Sequence, residues 1–205
     1  MSARVLAALL VLATACSGEE ETPASEEIAA TPQVKPQVVL ETSFGEITLQ
    51  LEPELAPETV ENFLLHVRSG FYDGLTFHRV RKDFVIQAGL LTADMVSRKT
   101  QIMGVRNEAA NGLKNLRGTL AMARTSEPHS ATSEFFINLK DNPRLDFRES
   151  TYEGWGYAVF GRVVDGMDVV DAIGAVPTKR TARFEALPLE PVVIQRAYLK
   201  SDSLP

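Results

Sequence analysis

Cysteine is almost missing from this sequence: Cys16 is the only one in 205 residues, so no disulfide can form within the chain. Histidine is scarce too, and His66, His78 and His129 lack the spacing that would gather ligands around a metal. A basic excess is also lacking. The formal net charge is -6, and residues 38–205 contain slightly more acids than bases, so the phosphate neutralisation that nucleic-acid binding requires is not available. No G-x-x-x-x-G-K loop is present to cradle phosphates. Ser130 follows His129 but has no nucleophile-elbow glycines around it, which argues against a serine hydrolase. Asp141 and Asp146 read most simply as turn and cap residues.

The N-terminus is of a different kind from the rest. Residues 1–15 hold a single Arg4 and then an apolar run over 5–15, too short to span a bilayer and ending in small residues, which reads as a signal peptide. Cys16 follows Ala13-Thr14-Ala15 directly. This arrangement resembles a bacterial lipobox, with Leu12 four residues before the cysteine, and implies that Cys16 becomes a lipidated first residue; the alternative is simple cleavage after Ala15. Residues 17–37 are Glu, Pro, Ala, Ser and Thr with few apolar side chains and no aromatic. Such a stretch cannot bury enough surface to offset its ordering entropy, so it reads as a tether from the lipid, about 25 Å long as a flexible coil.

One folded domain of about 38–200 follows, with a short tail over 201–205. Period-two alternation over 38–42 and 47–52, turning at 43–46, predicts a β-hairpin. Pro57 suits a first helical turn, and Val60, Phe63, Leu64 and Val67 recur at helical spacing until Gly70 supplies a stop. Further strands are predicted over 76–80, 84–88, 118–123, 135–139, 158–164 and 192–199. A short second helix is predicted over 168–173, closed by Gly174. Many short strands with two helices favour a mostly β barrel or sandwich over a parallel α/β sheet.

Three ordered blocks carry a family resemblance. Phe71-Tyr72-Asp73-Gly74, Phe77-His78-Arg79-Val80 and Phe84-Val85-Ile86-Gln87-Ala88-Gly89 form the first. Gly118-Thr119-Leu120-Ala121-Met122-Ala123-Arg124, Ser133-Glu134-Phe135-Phe136-Ile137-Asn138 and Leu145-Asp146 form the second, and Tyr157 through Met167 the third. Together they resemble the cyclophilin-type peptidyl-prolyl cis/trans isomerases, with Asn107 to Leu113 and Tyr157 pointing to the bacterial branch.

The resemblance implies an eight-stranded antiparallel barrel capped by two α-helices and an enzyme that rotates Xaa-Pro peptide bonds in proline-containing polypeptides. It implies Arg79 and Gln87 as catalytic residues, Arg79 bonding the prolyl nitrogen and Gln87 orienting Arg79 and the substrate carbonyl. Phe84, Val85, Phe136 and Leu145 would line a proline pocket, with Met122 supporting its floor. Ala123 and the Arg124 backbone would pair with the residue before proline, and Glu134 and Tyr157 complete the substrate-binding set. His78 is assigned to packing. Two positions depart from the family pattern. Glu134 stands where glutamine is commonest and is expected to pair with Arg79. Arg144 replaces an aromatic, which predicts weak affinity for cyclosporin. No cofactor, metal or nucleic acid is implied, and the expected state is an exported, membrane-anchored monomer assisting the folding of exported proteins. The rival reading is a non-catalytic module of the cell envelope that binds proline segments.

Overall fold

The computed structural model describes residues 35–101 and 103–200. The readings made for the signal segment, for Cys16, for most of the tether and for the tail lie outside the described residues.

Strands β1 (Gln37–Thr42) and β2 (Gly45–Leu51) form the expected hairpin, with Thr42 opposite Gly45. Leu40, Ile47, Leu49 and Leu51 are fully buried. Helix α1 (Pro57–Arg68) begins at the expected proline and buries Val60, Phe63, Leu64 and Val67. Gly70, in the left-handed region at φ 65°, turns the chain out of it. The first turn of α1 lacks a local cap. Glu108 supplies one from afar, accepting bonds from the Thr59 N–H (2.8 Å), the Thr59 hydroxyl (2.6 Å) and the Glu58 N–H (3.2 Å), with its charge at the positive end of the helix dipole.

Next come β3 (Arg79–Arg81), β4 (Val85–Ala88), β5 (Thr119–Met122), β6 (Phe135–Asn138) and β7 (Val159–Asp165). Helix α2 (Met167–Gly174), a two-residue pair β8 (Thr178–Lys179) and β9 (Leu187–Pro188), and β10 (Ile194–Leu199) follow. Eight strands make one antiparallel sheet in the order β10-β1-β2-β7-β5-β6-β4-β3. Its two ends meet: Thr76 bridges Val193, the Phe77 N–H donates to the Val192 carbonyl at 2.9 Å, and the Ile194 N–H donates to that of Leu75 at 2.8 Å. The expected mostly β, barrel-like architecture with two helices is the one observed.

Two boundaries differ from expectation. The strand predicted over 76–80 is broken, because Thr76 and Phe77 bond the segment before β10 whereas Arg79 to Arg81 pair with β4. The chain changes partner at Phe77 and His78. Gly174 does not end α2 by left-handed geometry, since the cap is Ala175 in right-handed conformation. Glycine is needed there for packing: a Cβ would lie 2.9 Å from the Leu139 side chain. The β8 and β9 pair was not predicted, two residues being too short for a periodic signal.

Inside the sheet, Phe63 sits 5.2 Å from Tyr72, 5.4 Å from Phe135 and 5.2 Å from Phe160, measured between ring centroids. These rings are fully buried, and the Tyr72 hydroxyl donates to the Ser133 carbonyl at 3.0 Å. That burial pushes the Tyr72 hydroxyl well above its ordinary pKa.

Candidate active site

Side chains alternate across a strand, so every residue placed in the core leaves its neighbour on the outside. On β4, Ile86 and Ala88 face the core; on β5, Leu120 and Met122; on β6, Phe135 and Ile137; on β7, Phe160. The intervening Val85, Ala121, Phe136 and Val159 form a second buried cluster, with Phe84, Leu113, Ala123, Leu145 and Tyr157 packed against it. Strand register lines these outer positions up. Arg79 lies opposite Gln87, Gln87 opposite Phe136, Phe136 opposite Ala121, and Ala121 opposite Val159. One row across five strands therefore runs from a guanidinium through an amide to a phenyl ring and small aliphatic groups.

Over this row lies a cavity of about 280 Å³, lined by Arg79, Arg81, Phe84, Val85, Gln87, Ala123, Arg124, Phe136, Leu145 and Tyr157. Small-molecule sites usually occupy ~300–1,000 Å³, so this one suits a single ring or side chain. Phe136 and Tyr157 meet edge to face, ring centroids 5.6 Å apart. Tyr157 is held by its N–H, which donates to the Leu145 carbonyl at 2.9 Å. That approach needs a glycine beforehand: at Gly156 (φ 62°) a Cβ would lie 2.6 Å from the carbonyl oxygens of Leu145 and Asp146. Arg124 forms a fixed wall. Its Nε donates to the Gly156 carbonyl at 2.8 Å, and its guanidinium lies 4.8 Å from the Tyr157 ring centroid.

The polar end is a chain of matched donors and acceptors. Glu134 Oε2 accepts from Gln87 Nε2 at 2.9 Å, and His78 Nε2 lies 3.2 Å from the same oxygen. A carboxylate can only accept and a guanidinium can only donate, so this contact settles the amide: its Oε1 turns to Arg79 Nη1, 3.4 Å away. Arg79 in turn donates through Nε (3.1 Å) and Nη2 (2.5 Å) to Glu185 Oε1. Hydrogen bonding to Arg79, with the guanidinium charge adding to it, holds the Glu185 carboxyl below its ordinary pKa. Phe84 lies under two cations, 5.6 Å from the Arg79 guanidinium and 5.2 Å from that of Arg81.

Ten of the eleven expected site residues among the described ones thus fall together, and two expectations need correction, one about the place of Met122 and one about the partner of Glu134. Met122 does not line the cavity; alternation turns it through the sheet into the core, where it is 2% exposed. The expected ion pair between Glu134 and Arg79 is absent, because Gln87 stands between them and the carboxylate beside Arg79 is Glu185. Arg81 and Glu185 were missed. Period two from Arg79 would have pointed to Arg81 on the same face. Nothing local marks Glu185, which comes to Arg79 from 106 residues away.

Ser130 and His129, the one serine–histidine neighbour pair weighed above, do not line this cavity. The Ser130 hydroxyl is used in a turn, donating to the Glu127 carbonyl at 2.7 Å, while His129 Nδ1 accepts from the Asn107 N–H at 3.0 Å. Among the described residues, no cluster of three or more His, Cys, Asp or Glu is placed to hold a metal. A small apolar socket with a permanent cation at its rim can bind a ring and stabilise a developing lone pair beside it. The family model for cyclophilin-type peptidyl-prolyl cis-trans isomerases matches residues 37–199, which includes every element of the site. The chain belongs to this family. It is a peptidyl-prolyl cis-trans isomerase.

Its similarity to individual cyclophilins is extensive. It is 55% identical over 160 residues to a peptidyl-prolyl cis-trans isomerase of Streptomyces antibioticus, covering 78% of this chain and 96% of the relative. It is 50% identical over 158 residues to isomerase B of Escherichia coli, covering 77% and 96%. With isomerase A of Dickeya dadantii it shares 46% over 197 residues, covering 96% and 97%. A crystal structure of a Cryptosporidium parvum cyclophilin superposes with a TM-score of 0.67 at 25% identity, covering 82% of this chain and 98% of that one. A second structure of that protein, determined in the presence of the dipeptide Ala-Pro, has the same fold at a TM-score of 0.66 and 24% identity.

Proposed function

We propose that this cyclophilin isomerises Xaa-Pro bonds in exported polypeptides, working outside the cytoplasm from a lipid anchor on Cys16. The observation that carries the catalytic part is the cross-strand row of Arg79, Gln87 and Phe136, which sets a guanidinium beside an apolar socket at fixed register. Rotation about the prolyl amide faces a barrier of about 18–20 kcal/mol from resonance and takes tens to hundreds of seconds unaided. The proline ring enters between Phe84, Phe136 and Leu145. Ala123 and the Arg124 backbone hold the residue before it. As the amide twists, its nitrogen becomes pyramidal and its lone pair leaves conjugation. Arg79 then donates to that nitrogen, a contact made only in the transition state, while Gln87 positions Arg79 and the substrate carbonyl. A guanidinium suits this role because it stays charged at any working pH.

The export part is supported by the signal-like run before Cys16 and the acidic, proline-containing stretch after it. Multiple acyl chains on one residue give stable membrane attachment where a single chain does not. A protease-coupled assay on an Ala-Pro-Phe peptide, with fractionation of the wild type and Cys16→Ser, tests both parts. The reading expects accelerated isomerisation, membrane-bound wild type, and a variant that is soluble or uncleaved. Mature wild type wholly in the soluble fraction without acyl mass would overturn the anchor, and an unaccelerated peptide would overturn the catalytic assignment.

A further inference from the structure

Beside the 280 Å³ pocket lies a second, larger cavity of about 560 Å³, with Arg81, Phe84 and Leu145 common to both. One wall is the turn between β3 and β4, where Asp83 takes a left-handed φ of 55°. The other is the segment from Lys140 to Leu145. Asn142 ties the walls together, its Nδ2 donating to the Phe84 carbonyl at 3.1 Å and to Asn138 Oδ1 at 2.8 Å. The Leu139 N–H adds a second bond to the Phe84 carbonyl, at 2.9 Å. The shape is therefore built before any ligand arrives.

Its charge runs against that of the chain. The protein is formally -6, yet four cations, Arg81, Lys82, Lys140 and Arg144, face two carboxylates here. One of those two, Asp141, accepts the Arg117 N–H at 2.8 Å. Among the described residues no ion pair engages Lys82, Lys140 or Arg144, and the nearest carboxylate oxygen to Arg81 is 3.7 Å away on Glu185. Three cations without an ion pair and a fourth only loosely paired, clustered at a concave, partly apolar site, focus a field that favours an anionic group.

We infer that this cavity is a subsite for a carboxylate side chain, Asp or Glu, in the segment that follows the substrate proline. The inference rests on the reading above, in which the residue before proline lies over Ala123 and Arg124. Neither of these lines the second cavity, so a chain crossing the pocket leaves by Phe84 and Leu145 and enters it. At about 3.3 Å per extended residue, the first two positions after proline reach it.

Exchange NMR on peptides of equal length tests this, with a neutral sequence, one carrying Glu two positions after proline, and one carrying Glu two positions before. Glutamate after proline should raise kcat/KM roughly fivefold over the neutral peptide at low salt, as a few exposed charge contacts act together. High salt should erase the advantage. Lys82→Ala/Lys140→Ala should also reduce it while the neutral peptide keeps its rate. Equal rates for neutral and acidic peptides, a greater advantage for Glu before proline, or an advantage untouched by the double variant would overturn the subsite alone. Failure to accelerate any peptide would instead remove the isomerase reading on which it rests.

Discussion

The inner and outer faces of β4, β5, β6 and β7 are built from the same kinds of residue and do different work. Phe135 and Phe136 are neighbours in sequence, and both are nearly or fully buried, at 0% and 4% exposure. Phe135 meets Phe63, Tyr72 and Phe77 in the interior. Phe136 meets Tyr157 beside a cavity. The difference lies in what covers each face. Helix α1 contributes Phe63 to fill the inside, whereas the outside is walled by Phe84, Leu145 and Tyr157, which leave a proline-sized gap. An apolar side chain on a strand is a stability residue where another element closes over it, and a binding residue where only loops do.

The sharpest way to break this comparison is to truncate the two rings separately. Phe135→Ala removes a fully enclosed ring and should cost about 3–5 kcal/mol of stability in a denaturant titration. Phe136→Ala opens onto space that already exists and should cost less than half of that, while weakening peptide binding and rate. Equal losses of stability would mean that the outer cluster is simply a second core.

A smaller effect sharpens the polar end of the outer face. Glu185 occupies two of the donors of Arg79. Glu185→Gln should raise kcat/KM by about two- to threefold, since exposed ion pairs are worth under ~1 kcal/mol. A tenfold loss in the peptide assay would show that Glu185 instead orients the guanidinium productively.

The smallest effect separates the faces by pH. His66 is a buried residue of the last turn of α1, with Nδ1 2.8 Å from the Asn62 carbonyl and Nε2 2.8 Å from the Thr100 hydroxyl. Burial lowers its pKa below the ordinary 6.5, the bond to Asn62 only partly opposing this. The unfolded chain therefore takes up a proton near 6.5 that the folded chain resists, so this contribution to stability is complete above 6.5 and shrinks as pH falls through the window below it. Tm should fall between about pH 7.5 and about pH 5.5, and fall less in His66→Gln. The Arg79–Glu185 pair should not change across that window, because the Glu185 carboxyl is held below its ordinary 4.5. A wild type and His66→Gln with the same pH profile of Tm would contradict this account of His66.

Much of this was legible in the sequence because period two and helical spacing report burial directly. They placed the β1–β2 hairpin, α1 and most of the sheet. What they could not report is sidedness. Phe135 and Phe136 put a ring on each face of β6 and look alike until register and covering elements are known, and Met122 of β5 was likewise expected at the pocket. The contact from Glu185 was illegible for another reason. It depends on the path of the irregular segment between β8 and β9, which no local pattern encodes. Glu134 was legible as a carboxylate near the site, but its partner was decided by cross-strand register, which brings Gln87 to it and leaves Arg79 one strand further on.

Arg79 at the end of the cross-strand row is the centre of the account, and exchange NMR on one proline peptide with wild type, Arg79→Ala and Phe136→Ala tests it most directly. The measurement reads isomerisation and affinity in a single sample. Arg79→Ala should lose about 100-fold in kcat/KM, the usual cost of one preorganised transition-state donor, with peptide affinity nearly unchanged. Phe136→Ala should lose affinity and rate together, since both states use its apolar surface. Near-full isomerisation by Arg79→Ala, or a wild type that binds the peptide without accelerating its exchange, would contradict the mechanism.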